Sequence, residues 1–308
     1  MCFGSCTLSL VSFALALLPV SCFCSIFLTF DPKSKFMSHQ LLKGKKGIIF
    51  GALDEKSIAW KTALKCYEEG AQIVLTNAPV ALRMGEINKL AEACGNAPVI
   101  GADVTNMDDL KNLFEKSMEH FGGKVDFVLH SIGMSLNVRK GKHYTEMNYE
   151  WNAKTLDISA MSLHRVLRTA WDMDAINDWG SVVALTYIAA QRVFPDYNEM
   201  ADAKSLLESV TRSFGYHYAV KNKVRVNTIS QSPTRTTAGS GVKGFDGFIN
   251  YAEKMSPLGN ASSEDCANYI AVMFSDLTRM VTMQNLFHDG GFSFTGVTAE
   301  VIEQMEKE

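Results

Sequence analysis

No stretch of this chain is strongly basic, and 30 Lys and Arg against 33 Asp and Glu leave a net charge of −3. The electrostatic footprint of a nucleic-acid binder is missing, so no nucleic-acid partner is expected. Metal-ligand spacing is missing too. Cys2, Cys6, Cys22 and Cys24 crowd the start of the chain, while Cys66, Cys94 and Cys266 are scattered through the body. Cys22 and Cys24 lack a two-residue gap and a second ligand pair, so no metal is expected, and the body cysteines read as reduced packing residues of a cytoplasmic protein. There is no internal repeat, no low-complexity segment and no Pro/Gly linker to mark a second domain. After the first apolar run of the body, where a dinucleotide fold carries G-x-G-x-x-G, only Gly51 stands. None of the nine tyrosines has a lysine four residues downstream.

What is present is ample hydrophobic material: 47% of 308 residues, enough to bury the core of one large α/β domain. From Gly44 short apolar runs alternate with longer amphipathic ones, the pattern of a parallel sheet covered by helices on both faces. Strands are expected at Gly47–Phe50, Gln72–Thr76, Val99–Gly101, Val125–His130, Ser181–Thr186, Arg225–Ile229 and Gln284–His288. Helices are expected near Ser57–Glu69, Met107–Phe121, Tyr149–Trp171, Met200–Tyr218 and Ser263–Phe274. The predicted fold is thus a Rossmann-like, doubly wound, seven-stranded parallel sheet in a single domain over residues 37–308. Residues 233–251, with glycines among small polar residues, read as a mobile loop and a substrate lid. Residues 1–36 stand apart. Leu8–Phe30 carries no charge and is long enough to span a bilayer, yet no Lys or Arg precedes it. Met37 then opens a typical cytosolic start, so 1–36 is expected to be an upstream extension outside the fold rather than a membrane anchor.

Candidate chemistry gathers at the strand ends. Gly51, followed by Ser57-Ile58-Ala59, forms a strand, a turn and a helix start, which sets backbone N–H groups against a pyrophosphate. The second strand ends in Asn77-Ala78-Pro79, with no cation for a 2′-phosphate, and this favours NADH; Arg83 lies further along. Asp103-Val104 follows the third strand, and His130-Ser131-Ile132-Gly133 follows the fourth, where Gly133 lets the chain pass close to a flat ring and His130 reads as structural. Tyr197 and Lys204, seven residues apart, would share one helical face, where a phenol can donate a proton and a cation lowers its pKa.

The seven-residue Tyr–Lys spacing, Gly51 six residues before Ser57-Ile58-Ala59, the strand-then-Pro233 segment and Phe287-His-Asp-Gly-Gly-Phe292 together resemble bacterial-type NADH-dependent enoyl-acyl-carrier-protein reductases of the short-chain dehydrogenase/reductase superfamily, over residues 41–295. The resemblance implies NADH-dependent reduction of the trans-2 double bond of an enoyl group on acyl carrier protein, closing each fatty acid elongation cycle, by a homotetramer. It further implies Tyr197, Lys204 and Tyr187 as catalytic residues, with Ser135, Tyr187 and Tyr197 at the substrate. Gly51, Ser57, Ile58, Ala78, Asp103, Val104, Ile132, Gly133, Lys204, Thr234, Arg235, Thr236, Thr237 and Ala238 would hold the cofactor. Ser232 stands where the family usually has glycine before Pro233. A carbonyl reductase of the same superfamily is the nearest alternative, and a non-catalytic dinucleotide-binding regulator the more distant one.

Overall fold

Short runs of branched apolar residues, bounded by glycine and polar residues, build the sheet. The computed structural model describes residues 39–83, 86–237 and 245–307, so the expected extension 1–36 and the middle of the expected lid lie outside the described residues. The strands are β1 (Lys46–Phe50), β2 (Gln72–Asn77), β3 (Val99–Gly101), β4 (Val125–His130), β5 (Ile176–Thr186), β6 (Arg225–Gln231) and β7 (Asn285–His288). All pair in parallel, in the order β3-β2-β1-β4-β5-β6-β7. The winding reverses between β1 and β4, and the crevice beyond their carboxyl ends is where such a sheet binds a dinucleotide.

Connecting the strands are α1 (Ile58–Glu68), α2 (Pro79–Leu82), α3 (Glu86–Ala93), α4 (Met107–Phe121), α5 (Leu136–Arg139), α6 (Tyr149–Leu156), α7 (Ser162–Asp172), α8 (Glu199–Asn222), α9 (Phe245–Met255), α10 (Ser263–Phe274) and α11 (Ala299–Met305). Side chains alternate across the pleat, so β1 sends Ile48 and Phe50 to one face and Ile49 to the other. The first face packs on α4, α7 and α8 through Leu113, Phe114, Leu163, Val166 and Leu207. The second packs on α1, α3 and α10 through Trp60, Ala63, Leu90 and Ile270, with Phe127 of β4 stacked on Phe274 at 4.4 Å between ring centroids. Buried Arg225 at the start of β6 donates to the carbonyls of Met273, Ser275 and Thr278, satisfying the C-terminal end of α10.

Three expectations change. The helix read over Tyr149–Trp171 is interrupted by a π turn at Asp157–Met161 between α6 and α7. Both hydroxyls of the turn region are used: Ser159 binds the backbone N–H and carbonyl of Met134, and Ser162 pairs with His130 at 2.8 Å. The loop read over 233–251 ends early, because α9 begins at Phe245; Phe245, Phe248, Ile249 and Ala252 recur at helical spacing, and Ile249 and Ala252 are buried. Tyr197, finally, is not helical. It closes a 3-10 turn, Pro195–Tyr197, and α8 starts only after Asn198, whose φ of 47° and ψ of −141° break the path. The shared helical face expected for Tyr197 and Lys204 therefore does not exist; the chain turns a corner between them.

Candidate active site

At the carboxyl end of β1, Gly51 has φ of 89°, and a Cβ there would lie 2.0 Å from the Ser131 carbonyl oxygen. Only glycine lets the turn after β1 lie against the segment after β4. Ser57 caps α1: it accepts from the Trp60 N–H at 3.2 Å and donates to the Asp54 carbonyl at 2.9 Å. Its hydroxyl hydrogen is thus spent within the turn. The first N–H groups of a helix have no intrahelical partner, and those of Ile58 and Ala59 remain for an anion. Asn77 at the end of β2 donates to the Ala52 carbonyl at 2.9 Å and accepts from the Ala78 N–H at 2.9 Å, fixing small Ala78 beside the β1 turn. Asp103 is exposed and accepts from the Thr105 N–H and hydroxyl, a turn role beside buried Val104.

After β4, Ile132 and Gly133 run along the crevice, anchored at Met134 by Ser159. His130 is fully buried and neutral: burial, and next the positive charge of Lys204, bring its pKa down to about 3. Ser135 spends its hydroxyl within the protein. It is buried, donates to Glu199 at 2.6 Å and accepts from the Val138 N–H as the cap of α5.

Beyond β6, Ser232 fits without the left-handed geometry a glycine would permit; its hydroxyl accepts from the Ala261 N–H at 3.2 Å. Thr234 is held by Gln231 at 3.2 Å and by the Ser232 carbonyl at 2.9 Å, and the Thr236 N–H reaches the Thr234 carbonyl. Arg235 pairs with Asp246 of α9, and Thr237 with Asp54 of the β1 turn. These two ties bridge the β6 segment to both sides of the crevice. Ala238 lies outside the described residues. A cleft of about 440 Å³ opens beside this segment, lined by Lys56, Thr234, Arg235, Ile249 and Ala261, and none of Tyr187, Tyr197 and Lys204 lines it.

Tyr187, at the end of β5, and Tyr197 stand with ring centroids 5.1 Å apart in a cluster with Phe194, Phe248 and Phe292. The Tyr187 hydroxyl is buried with no hydrogen-bond partner among the described residues, and burial raises the pKa of both phenols above the ordinary value. Lys204 is buried and donates to the Leu185 carbonyl at 2.7 Å. Burial lowers its pKa to about 8, while the Glu208 carboxylate pushes the other way. The expectation that a cation lowers the Tyr197 pKa is not met; the phenol is a neutral hydrogen-bond donor. An apolar wall carrying two neutral phenols beside a buried ammonium can bind an elongated apolar group and stabilise charge that develops on an oxygen.

Sequence reasoning missed Phe194, Phe248, Phe292, Glu199 and Glu208. Phe248 left a signal in the spacing of α9, while Phe194 and Phe292 lie outside that helix and the two acids look like ordinary surface residues of a helix.

The family model described as enoyl-(acyl carrier protein) reductase matches residues 51–293. Enoyl-acyl-carrier-protein reductase (NADH) 1 of Rhizobium meliloti is 34% identical over 84% of this chain and 94% of its own length. The corresponding NADH reductase, FabI, of Aquifex aeolicus is 32% identical over 87% of this chain and 98% of its own. Among solved structures, the FabI–NADH complex from Alistipes finegoldii superposes with a TM-score of 0.83 at 63% identity, covering 84% of this chain and 92% of that one. The match of the family model over most of the chain, with these relatives and this fold, shows that the chain belongs to the enoyl-acyl-carrier-protein reductase family, within the short-chain dehydrogenase/reductase superfamily.

Proposed function

We propose that this chain reduces the trans-2 double bond of an enoyl group held as a thioester on acyl carrier protein, with NADH as reductant, in the last step of the fatty acid elongation cycle. The observation that carries the reading is the pairing of Tyr197 with Tyr187 just past β5, where the buried Lys204 ammonium donates to the Leu185 carbonyl two residues earlier.

The residues present fit the cofactor. The Ile58 and Ala59 amides would receive its pyrophosphate, while Ala78, Asp103 and Val104 would hold the adenosine. Ile132, Gly133 and the segment Thr234–Thr237 would hold the nicotinamide end, with Ala238 the next residue in the sequence. When bound, NADH would supply the hydride that reaches the β-carbon, and a proton taken up from the medium at the α-carbon completes the reduction. Tyr197 donates a hydrogen bond to the thioester oxygen as negative charge gathers there, where preorganised stabilisation contributes most. Lys204 reaches the ribose hydroxyls and keeps the local field positive. Tyr187, with Phe194 and Phe248, lines the acyl chain and keeps water from the reacting carbons.

We further propose a homotetramer. Tyr149 on α6 and Tyr216 and Val220 on α8 are exposed large hydrophobic groups that a partner subunit would cover. The proposed setting is the cytoplasm, in keeping with the free, buried Cys66, Cys94 and Cys266. The carbonyl-reductase alternative needs a hydroxyl at the end of β5, and Thr186 there is engaged by Glu208 at 2.9 Å.

NADH oxidation, followed at its near-ultraviolet band with crotonyl thioester against acetoacetyl thioester, tests the reading. Turnover is expected with the first; a preference for the second would overturn it.

A further inference from the structure

Four residues along α8 from Lys204, one turn away on the same face, lies Glu208. It is 5% exposed and Lys204 8%, so both charges sit out of water. Three neutral donors converge on the Glu208 carboxylate. Thr186 at the end of β5 and Asn285 at the start of β7 reach Oε1 at 2.9 and 3.0 Å, and Gln191 reaches Oε2 at 3.2 Å. The two amide donors demand acceptors, which an ionised carboxylate supplies on both oxygens and an amide does not. A buried carboxylate held only by neutral groups is costly unless a cation shares its surroundings. Burial raises the pKa of its carboxyl; the hydrogen bonds from Thr186 and Gln191 oppose that rise, and so do the cations Arg212 and Lys204, one turn to either side along α8.

We propose that Glu208 is a positioning residue that acts through Lys204: its carboxylate is the counter-charge that keeps Lys204 an ammonium at working pH, and its three hydrogen bonds lock the helix face carrying Lys204 to β5 and β7. The inference rests on the reading of Lys204 as a cofactor-binding cation. Neither His130 nor the phenols of Tyr187 and Tyr197 supply a charge here. His130, on β4, is held neutral by burial, and the phenols of Tyr187 and Tyr197 are held neutral by pKa values raised through burial. Glu208 alone opposes the desolvation that has already brought Lys204 down to about 8. Without it the lysine would hold its proton less firmly, since an opposite charge one helical turn away and sharing its burial favours the ammonium.

The test reads the lysine directly and the activity separately. Trace acetylation of Lys204 by acetic anhydride, quantified by peptide mass spectrometry across pH in the full-length, NADH-free protein, gives the midpoint at which the amine becomes nucleophilic. Glu208→Gln should lower that midpoint by about one unit or more. Thr186→Val, which removes one hydrogen bond and keeps the charge, should leave it in place. If Glu208→Gln, with its amide set against two amide donors, does not fold, Glu208→Ala carries the same measurement. An unchanged midpoint in the folded variant overturns the proposal, and so does an equal fall in Thr186→Val. The alkaline limb of kcat/KM for NADH is then followed in the same proteins. A limb that moves down with the midpoint supports both Glu208 and Lys204 in these roles. A midpoint that falls while the limb stays supports the Glu208 counter-charge and removes Lys204 from cofactor binding.

Discussion

The rings of Tyr187 and Tyr197 meet at 53° with centroids 5.1 Å apart, although one ends a strand and the other closes a 3-10 turn ten residues later. Burial keeps both phenols protonated, so the pair presents two neutral hydroxyls on an aromatic wall. Tyr197→Phe is expected to lose about 2.5–4 kcal/mol of transition-state stabilisation, the scale of an oxyanion donor, and to leave NADH affinity near normal. Steady-state kinetics on an enoyl thioester, with calorimetry for NADH, checks this; undiminished turnover would remove Tyr197 from the chemistry.

His130 ties stability to pH. Its pKa is about 3 in the folded chain against the ordinary value of 6.5, so between these values the unfolded chain binds the proton and the folded chain does not. Stability therefore rises with pH across that window and is lost as pH falls through it, with a slope of at most about 1.4 kcal/mol per unit. Urea unfolding at pH 6.5 and 5 should show a smaller acid loss in His130→Gln than in the wild type. Equal losses would mean that the imidazole is not the responsible group.

NADH should give the higher kcat/KM than NADPH, and Ala78→Arg should shift the preference toward NADPH by supplying a partner for the 2′-phosphate. Arg83 tests the reasoning most sharply. Helix α2 shortens its five-residue separation from Ala78 to about 7.5 Å along the axis, nearer than chain distance alone suggests. A wild-type preference for NADPH that Arg83→Ala abolishes would assign the phosphate to Arg83.

A chain starting at Met37 is expected to be soluble, fully active and tetrameric. Leu42 is already fully buried, and its N–H reaches the Glu69 carbonyl at 3.0 Å, so the core closes downstream of that start. Sedimentation together with the enoyl assay checks it. Aggregation or inactivity would give residues 1–36 a part in the working protein.

The sheet was legible because each buried strand is a short apolar run between turn residues; β3, β4, α4 and α10 fall where the pattern puts them. Helix α3 was not, since only Ile87, Leu90 and Ala91 turn inward along eight residues, too few for a periodicity to stand out. The Tyr197–Lys204 spacing pointed to the right family while its geometric explanation was mistaken. Spacing records which residues recur together, and here a single backbone break at Asn198 changes how they meet. Glu208 was invisible for a related reason: an acid four residues from a lysine on a helix is usually a solvated surface pair.

The π turn at Asp157–Met161 makes chain length a constraint in its own right. Deleting one residue there would let the helix run on as regular α, with no loss of helix-forming composition. Every side chain beyond the deletion would, however, rotate by about 100° about the axis relative to those before it. Ser159 and Ser162 could then no longer both keep their ties to Met134 and His130. The segment can exchange residues at little cost, but the number of residues between α6 and α7 is part of what holds the nicotinamide side of the crevice in register.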